Sequence, residues 1–167
     1  MSLDNIQLPA IVLQDLFKNS LIDLNTNQPP ALNTITRSIA ILGNNQKQIA
    51  IIVADEKNLY LPDKTLNFLM GILNACKLTM DDVALINISK SNALTYSIIQ
   101  EQLQATTLLL FGVLPGQLQL PLDFPEYQIQ KYNNQLYLSA PALPLLAADK
   151  EEKTKLWNCL KQVFAIV

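Results

Sequence analysis

The chain has 167 residues, 50% of them hydrophobic and 16% charged, with no histidine and a formal net charge of −2. Such a length suits one well-buried core, and the acidic balance, with Arg37 as the sole arginine, excludes strong non-specific phosphate binding and direct readout of DNA sequence. Without histidine a Ser-His-Asp site is excluded, and Cys76 and Cys159 cannot by themselves supply a zinc or iron-sulfur ligand set, so no cofactor is expected.

Residues 1 to 35 read as an N-terminal amphipathic helix and linker. Leu8, Ile11, Val12, Leu16 and Leu21 recur at helical spacing, and Pro9 fits a first turn. Ile11, Val12, Leu16 and Phe17 are the candidate partner-binding residues of this arm. The run from Asn25 to Pro30 ends the helix, because neither proline can continue it. The start, Met1-Ser-Leu-Asp-Asn, has no basic region and no unbroken apolar run, so neither a signal peptide nor a membrane span is expected and a cytoplasmic location follows.

Residues 36 to 167 read as a single domain. Short apolar runs rich in β-branched residues occupy 38–43, 48–54, 83–88, 107–113 and 136–140. They do not alternate with polar residues, which is the pattern of strands buried on both faces. Gly43-Asn44-Asn45 reads as a hairpin turn, and a short edge strand is expected near 127–130. Between the runs lie three helical patterns. The first covers 64–76, with Asp63 as its cap and Leu66, Leu69, Met70, Leu73 and Cys76 as its apolar stripe. The second covers 92–104, with Ile98, Ile99 and Leu103 inward, and the third covers 150–164, with Leu156, Trp157, Leu160, Val163 and Phe164 inward. Lysines and acids mixed from Asp149 to Lys161 predict a salt-bridged, solvated face on this last helix. Strands alternating with helices predict a three-layer α/β/α domain around a central, mostly parallel sheet of about four to five strands.

In such a sheet the functional crevice lies at the carboxyl ends of the strands. The candidate crevice residues there are Asp55, Glu56, Asn87, Ser139 and Ala140. A carboxylate can orient a water as general base, but it needs a partner to protonate or stabilise the leaving group, and no histidine is present for that role. No G-x-G-x-x-G and no G-x-x-x-x-G-K-[ST] pattern occurs, which removes the usual phosphate cradles. Two readings stay open beside a non-enzymatic interaction protein. One is a divergent enzyme or ligand-binding protein working through Asp55, Glu56 and Asn87; the other is a homodimer formed through the N-terminal helix.

The order of Ile49 to Ala54, a helix from Leu66, Asp82-Val83 and then Leu85-Ile-Asn-Ile-Ser-Lys90 resembles the uracil-DNA glycosylase superfamily. Leu108 to Gly112 is similar to its third strand, and Leu138-Ser-Ala-Pro-Ala-Leu143 with Lys153 and Trp157 is similar to its final strand, turn and helix. The resemblance spans residues 48 to 165. It implies that Asn87 stands where the family's asparagine contacts the flipped base and that Ala140 stands where its catalytic histidine would be. The family's glycine-bearing first loop, which supplies a water-activating carboxylate, has no counterpart in Asp55 to Leu61. The implied protein keeps the fold and lacks the supports for base excision. The psi-type subunits of the bacterial replicative DNA polymerase, which use this fold without catalysis, are similar in their closing strand, Pro-Ala-Leu turn and Lys/Trp helix. That resemblance implies replisome protein partners for the N-terminal arm, a role in DNA replication or repair, and weak or absent direct DNA contact.

Overall fold

Ile49-Ala-Ile-Ile-Val53 offers water no polar side chain, and in the computed structural model all five residues are buried in one central strand. The structure describes residues 39–165 apart from 92, 93, 122 and 124, all within the unit formed by residues 38–167. Ile11, Val12, Leu16 and Phe17 lie outside the described residues.

Six strands form one mixed, mostly parallel sheet: β1 (Ile41–Leu42), β2 (Ile49–Val53), β3 (Val83–Asn87), β4 (Thr107–Phe111), β5 (Ile129–Tyr132) and β6 (Gln135–Ala140). Their order is β1-β3-β2-β4-β6-β5. The inner four are mutually parallel, while β1 and β5 pair antiparallel with β3 and β6. Every residue of β2, β3 and β4 is buried, as expected of strands covered on both faces. Alternate residues feed two separate cores. Ile51, Leu85, Leu109 and Leu138 belong to one, and Ile52, Ile86, Leu110 and Tyr137 to the other.

Among the described residues four α-helices accompany the sheet: α1 (Asp63–Ala75), α2 (Tyr96–Leu103), α3 (Leu143–Ala148) and α4 (Lys150–Val163). Residues of α1, α3 and α4 pack in the first core, and Ile99 and Leu103 of α2 pack in the second. In α1, Leu69 and Leu73 are buried but Met70 is 42% exposed, one residue off the inward stripe. Asp63 makes no cap bond. Pro62 occupies the N-cap, and the Asp63 charge sits instead in the first turn, where it favours the positive helix end. α2 begins four residues later than the spacing predicts: the Leu94 amide bonds to the Ser91 carbonyl, and Thr95 is extended at the N-cap. It ends on a left-handed Gln104. The prolines around 141–144 read as irregular chain, yet Pro144 lies in the first turn of α3, where its missing N–H has no helical partner to lose. α4 is capped by Asp149, whose side chain accepts from the Glu151 and Glu152 amides. Of its mixed charges, Lys155 and Glu152 pair at 2.6 Å; the only other ion pair among the described residues is Lys47 with Asp82.

Two turns differ from the sequence reading. The Gly43 region is not a hairpin, since β1 pairs with β3 rather than with β2. Asn45, Gln46 and Lys47 donate their amides to Val83, Asp81 and Asp82, which carries the chain across the start of β3. Gly43 has φ +108°, and a Cβ there would lie 2.2 Å from the Val83 carbonyl oxygen. The edge strand starts at Ile129 rather than Tyr127, because Tyr127 takes a left-handed φ of 61° while its amide bonds to the Ser139 carbonyl. Among the described residues no helix is long and apolar enough to cross a membrane.

Both cysteines are free and buried. Burial pushes the Cys76 thiol up to about 11 and raises that of Cys159 as well, so neither is a ready thiolate at neutral pH. In the native protein at pH 8 both are expected to resist Ellman's reagent and to react together once urea unfolds the chain. Rapid labelling of Cys76 before unfolding would contradict the packing of the inner face of α1.

Candidate functional site

The strand order places β3 on one side of β2 and β4 on the other, so the chain reverses its winding direction between β2 and β4. A ligand of an open α/β sheet is expected at the carboxyl ends of those strands. Asn87, Val53, Phe111 and Ala140 are register partners in one row across that rim. Three strand spacings therefore separate Asn87 from Ala140, about 14 Å. The apolar Val53 and Phe111 fill the gap, so the two positions singled out by the sequence cannot act on one atom.

Asn87 is 1% exposed, and its side-chain amide is fully engaged by the protein. Oδ1 accepts from the Asp55 amide at 3.0 Å and the Ser89 amide at 3.1 Å. Nδ2 donates to the carbonyls of Asp55 at 2.7 Å and Asn58 at 2.9 Å. An asparagine amide offers two donors and two acceptor sites, so nothing remains for a ligand. Asp55 turns inward on its own loop in the same way. Its Oδ1 accepts from the amides of Lys57 at 2.9 Å and Asn58 at 2.7 Å, and from the Asn58 side chain at 3.1 Å. The Asn58 amide chiefly holds the Asp55 carboxyl below its usual range, against the opposing effect of burial, and the Lys57 amide and the Lys90 charge add to the lowering. The structure thus brings Asp55 and Asn87 together as a loop clamp.

Glu56 is exposed, and Lys90 donates to its backbone carbonyl. Tyr60 and Leu61 pack on the first core, with the Tyr60 hydroxyl donating to the Ile41 carbonyl at 3.3 Å, while Leu59 is left 57% exposed. At the far side of the rim Ser139 is 6% and Ala140 2% exposed. The Ala140 carbonyl accepts from the Gly112 amide at 2.9 Å, and Gly112 has φ +65°. A glycine after a strand often lets a ligand approach the backbone. Here a Cβ on Gly112 would lie 2.7 Å from the Ala142 Cβ, so the protein itself occupies that approach. Among the described residues no group of three or more Cys, Asp or Glu side chains is placed to hold a metal ion.

Two features away from this rim were not singled out from the sequence. At the amino ends of β4 and β6 lies a depression of about 580 Å³ bordered by Thr107, Lys131, Asn133 and Gln135. Gln135, 4% exposed, accepts from the hydroxyls of Tyr96 and Tyr137 and donates to Gln100 and to the Ala105 carbonyl. This network ties α2 to β6, and its one signal in the sequence is a polar residue opening an apolar run. The second feature is a groove of about 450 Å³ between α1 and α4. Phe68, Gly71, Ile72, Ala75, Trp157 and Leu160 line it, and the Lys153 ammonium lies 5.6 Å from the centre of the Phe68 ring. Trp157 was expected inward; it is half-buried and forms a groove wall. Gly71, set in the middle of a helical pattern, was the available signal.

No protein-family model matches the chain, and no curated protein matches it.

Proposed function

We propose that the chain is a non-enzymatic protein-interaction scaffold with a three-layer α/β/α, glycosylase-like architecture, acting in the cytoplasm as a psi-like accessory factor in DNA replication or repair. One observation carries the non-enzymatic part: the rim where a ligand would sit is closed by the protein's own groups. Asn87 is engaged at all of its hydrogen-bonding sites, Asp55 folds onto its own loop, and Ala142 fills the space beside Gly112. The location of helices against two cores on alternate strand residues supports the layered architecture. The replication part rests on the resemblance of the closing strand, Pro-Ala-Leu turn and Lys/Trp helix, and on a net charge of −2 that suits protein rather than phosphate contacts.

Two measurements on the full chain test it. Mixed with the purified clamp-loader complex and single-stranded DNA-binding protein of its host, it is expected to co-elute with one of them in size exclusion. Incubated with uracil-containing single- and double-stranded DNA, it is expected to release no base. Independent elution from both replication components would remove the psi-like reading. Base release abolished by Asp55→Asn or Glu56→Gln would restore an enzyme, and a stable homodimer lost on removing residues 1 to 30 would favour the dimer.

A further inference from the structure

We infer that the groove between α1 and α4 is a docking site for an amphipathic helix of a partner protein, with apolar anchors in the groove and acidic residues on its flanks. The inference extends the scaffold reading to a defined surface and does not depend on the partner being a replication protein. The groove has the form such a helix needs. Its α1 wall runs from Asn67 to Ala75, about 12 Å at the helical rise, which accommodates roughly two turns of an incoming helix. Phe68, Ile72 and Trp157, each half-buried, supply apolar and aromatic surface, the composition found at the centres of interfaces.

Gly71 supplies an independent observation. A glycine inside a helix weakens it relative to alanine, and among the described residues nothing beyond the neighbouring backbone of its own helix lies within 4 Å of where its Cβ would be. Packing within the domain therefore gives no reason for a glycine there, whereas an external backbone approaching across Gly71 and Ala75 does.

Charge selects the occupant. Lys153 borders the groove, Lys150 and Lys161 share its helical face by spacing, and Lys64 lies one turn before Phe68; against them stand Asp63 at the start of α1 and Asp149 at the start of α4, the latter's carboxylate held by the Glu151 and Glu152 amides. Among the described residues no ion pair engages these lysines. A second copy of the same groove would bring like charges face to face, whereas an acidic-flanked helix complements them.

The sole tryptophan of the chain, Trp157, lines the groove and reports its occupancy by fluorescence. The probes are two lactam-stapled helices of about three turns, with leucines at i, i+3 and i+7 and either glutamates or lysines on both flanks. The glutamate form is expected to shift Trp157 emission saturably and to bind at least ~10-fold more tightly than the lysine form, with the preference shrinking at high salt. Lys153→Glu with Lys161→Glu is expected to reverse the preference. Gly71→Leu, which has room for its side chain in the folded protein, is expected to abolish the shift while preserving the circular dichroism spectrum. Equal binding of the two probes, binding of neither, or glutamate-probe binding untouched by Gly71→Leu would each overturn the inference. So would a concentration-dependent dimer that Gly71→Leu dissociates, since the occupant would then be a second copy.

Discussion

Replacing Asn87 with alanine is expected to destabilise the native state by about 3 kcal/mol or more, read as a lowered urea midpoint at unchanged m-value. The side chain is 1% exposed and makes four hydrogen bonds, two accepted from amides and two donated to carbonyls. Its loss orphans all four backbone groups, and each one that water cannot reach costs about 1 to 3 kcal/mol. Relaxation of the 55–58 loop into solvent lets water reach some of these groups, which brings the expected minimum slightly below the lower end of the sum for all four. Asn87→Asp is the sharper variant, because a carboxylate oxygen would then face the Asp55 and Asn58 carbonyls where Nδ2 now donates to both. That variant should cost more than alanine at neutral pH and recover at acid pH as the carboxyl protonates. A loss under about 1 kcal/mol for alanine would mean that Asn87 is not an internal clamp, and a ligand role would return.

Gly112→Ala is the second large effect, expected at about 2 to 4 kcal/mol from a left-handed backbone combined with overpacking. Gly112 has φ +65°, and its new Cβ would lie 2.7 Å from the Ala142 Cβ. The two contributions separate in a double-mutant cycle. Ala142→Gly removes the contact between methyl groups but leaves the backbone strain and the Ala142 Cα at 3.0 Å, so the double variant should regain part of the loss with a coupling of about 1 kcal/mol. Additive losses would show that Ala142 does not press on Gly112, and the closed rim would lose one of its supports.

The sheet and two of the helices were legible in the sequence for a simple reason. β2, β3 and β4 are buried along their whole length, and that burial leaves uninterrupted apolar runs. α1 and α4 bury one face each, which leaves a periodic trace at Leu69 and Leu73 and at Leu156 and Leu160. The elements misread were those decided by distant partners. Whether Gly43 begins a hairpin depends on Val83 and Asp81, some forty positions on, which capture the amides of the intervening turn. The start of β5 depends on Ser139, whose carbonyl holds Tyr127 out of register.

The candidate site shows the same division. Asn87 and Asp55 stand out as polar residues at strand ends, and they do meet. What no spacing could reveal is that their partners are backbone groups of one loop, which turns a pair with catalytic promise into an anchor. The α1–α4 groove was hidden differently. Each helix carried its own apolar face, but the surface that matters is shared by segments some eighty residues apart, and only the fold sets them side by side.

The short border strands have a consequence for how this protein can be recruited. β1 contributes two residues and β5 four, with Lys131 exposed on the latter. Brief borders, the β5 one carrying a charge, give an incoming strand little main chain to zip onto, which guards against edge-to-edge aggregation. They also close one common route of recognition, the lengthening of a sheet by a partner's extended peptide. On the scaffold proposal, selectivity for a partner would then be written in side chains on helical surfaces, where it can drift by single substitutions without disturbing the pairing of the strands beneath.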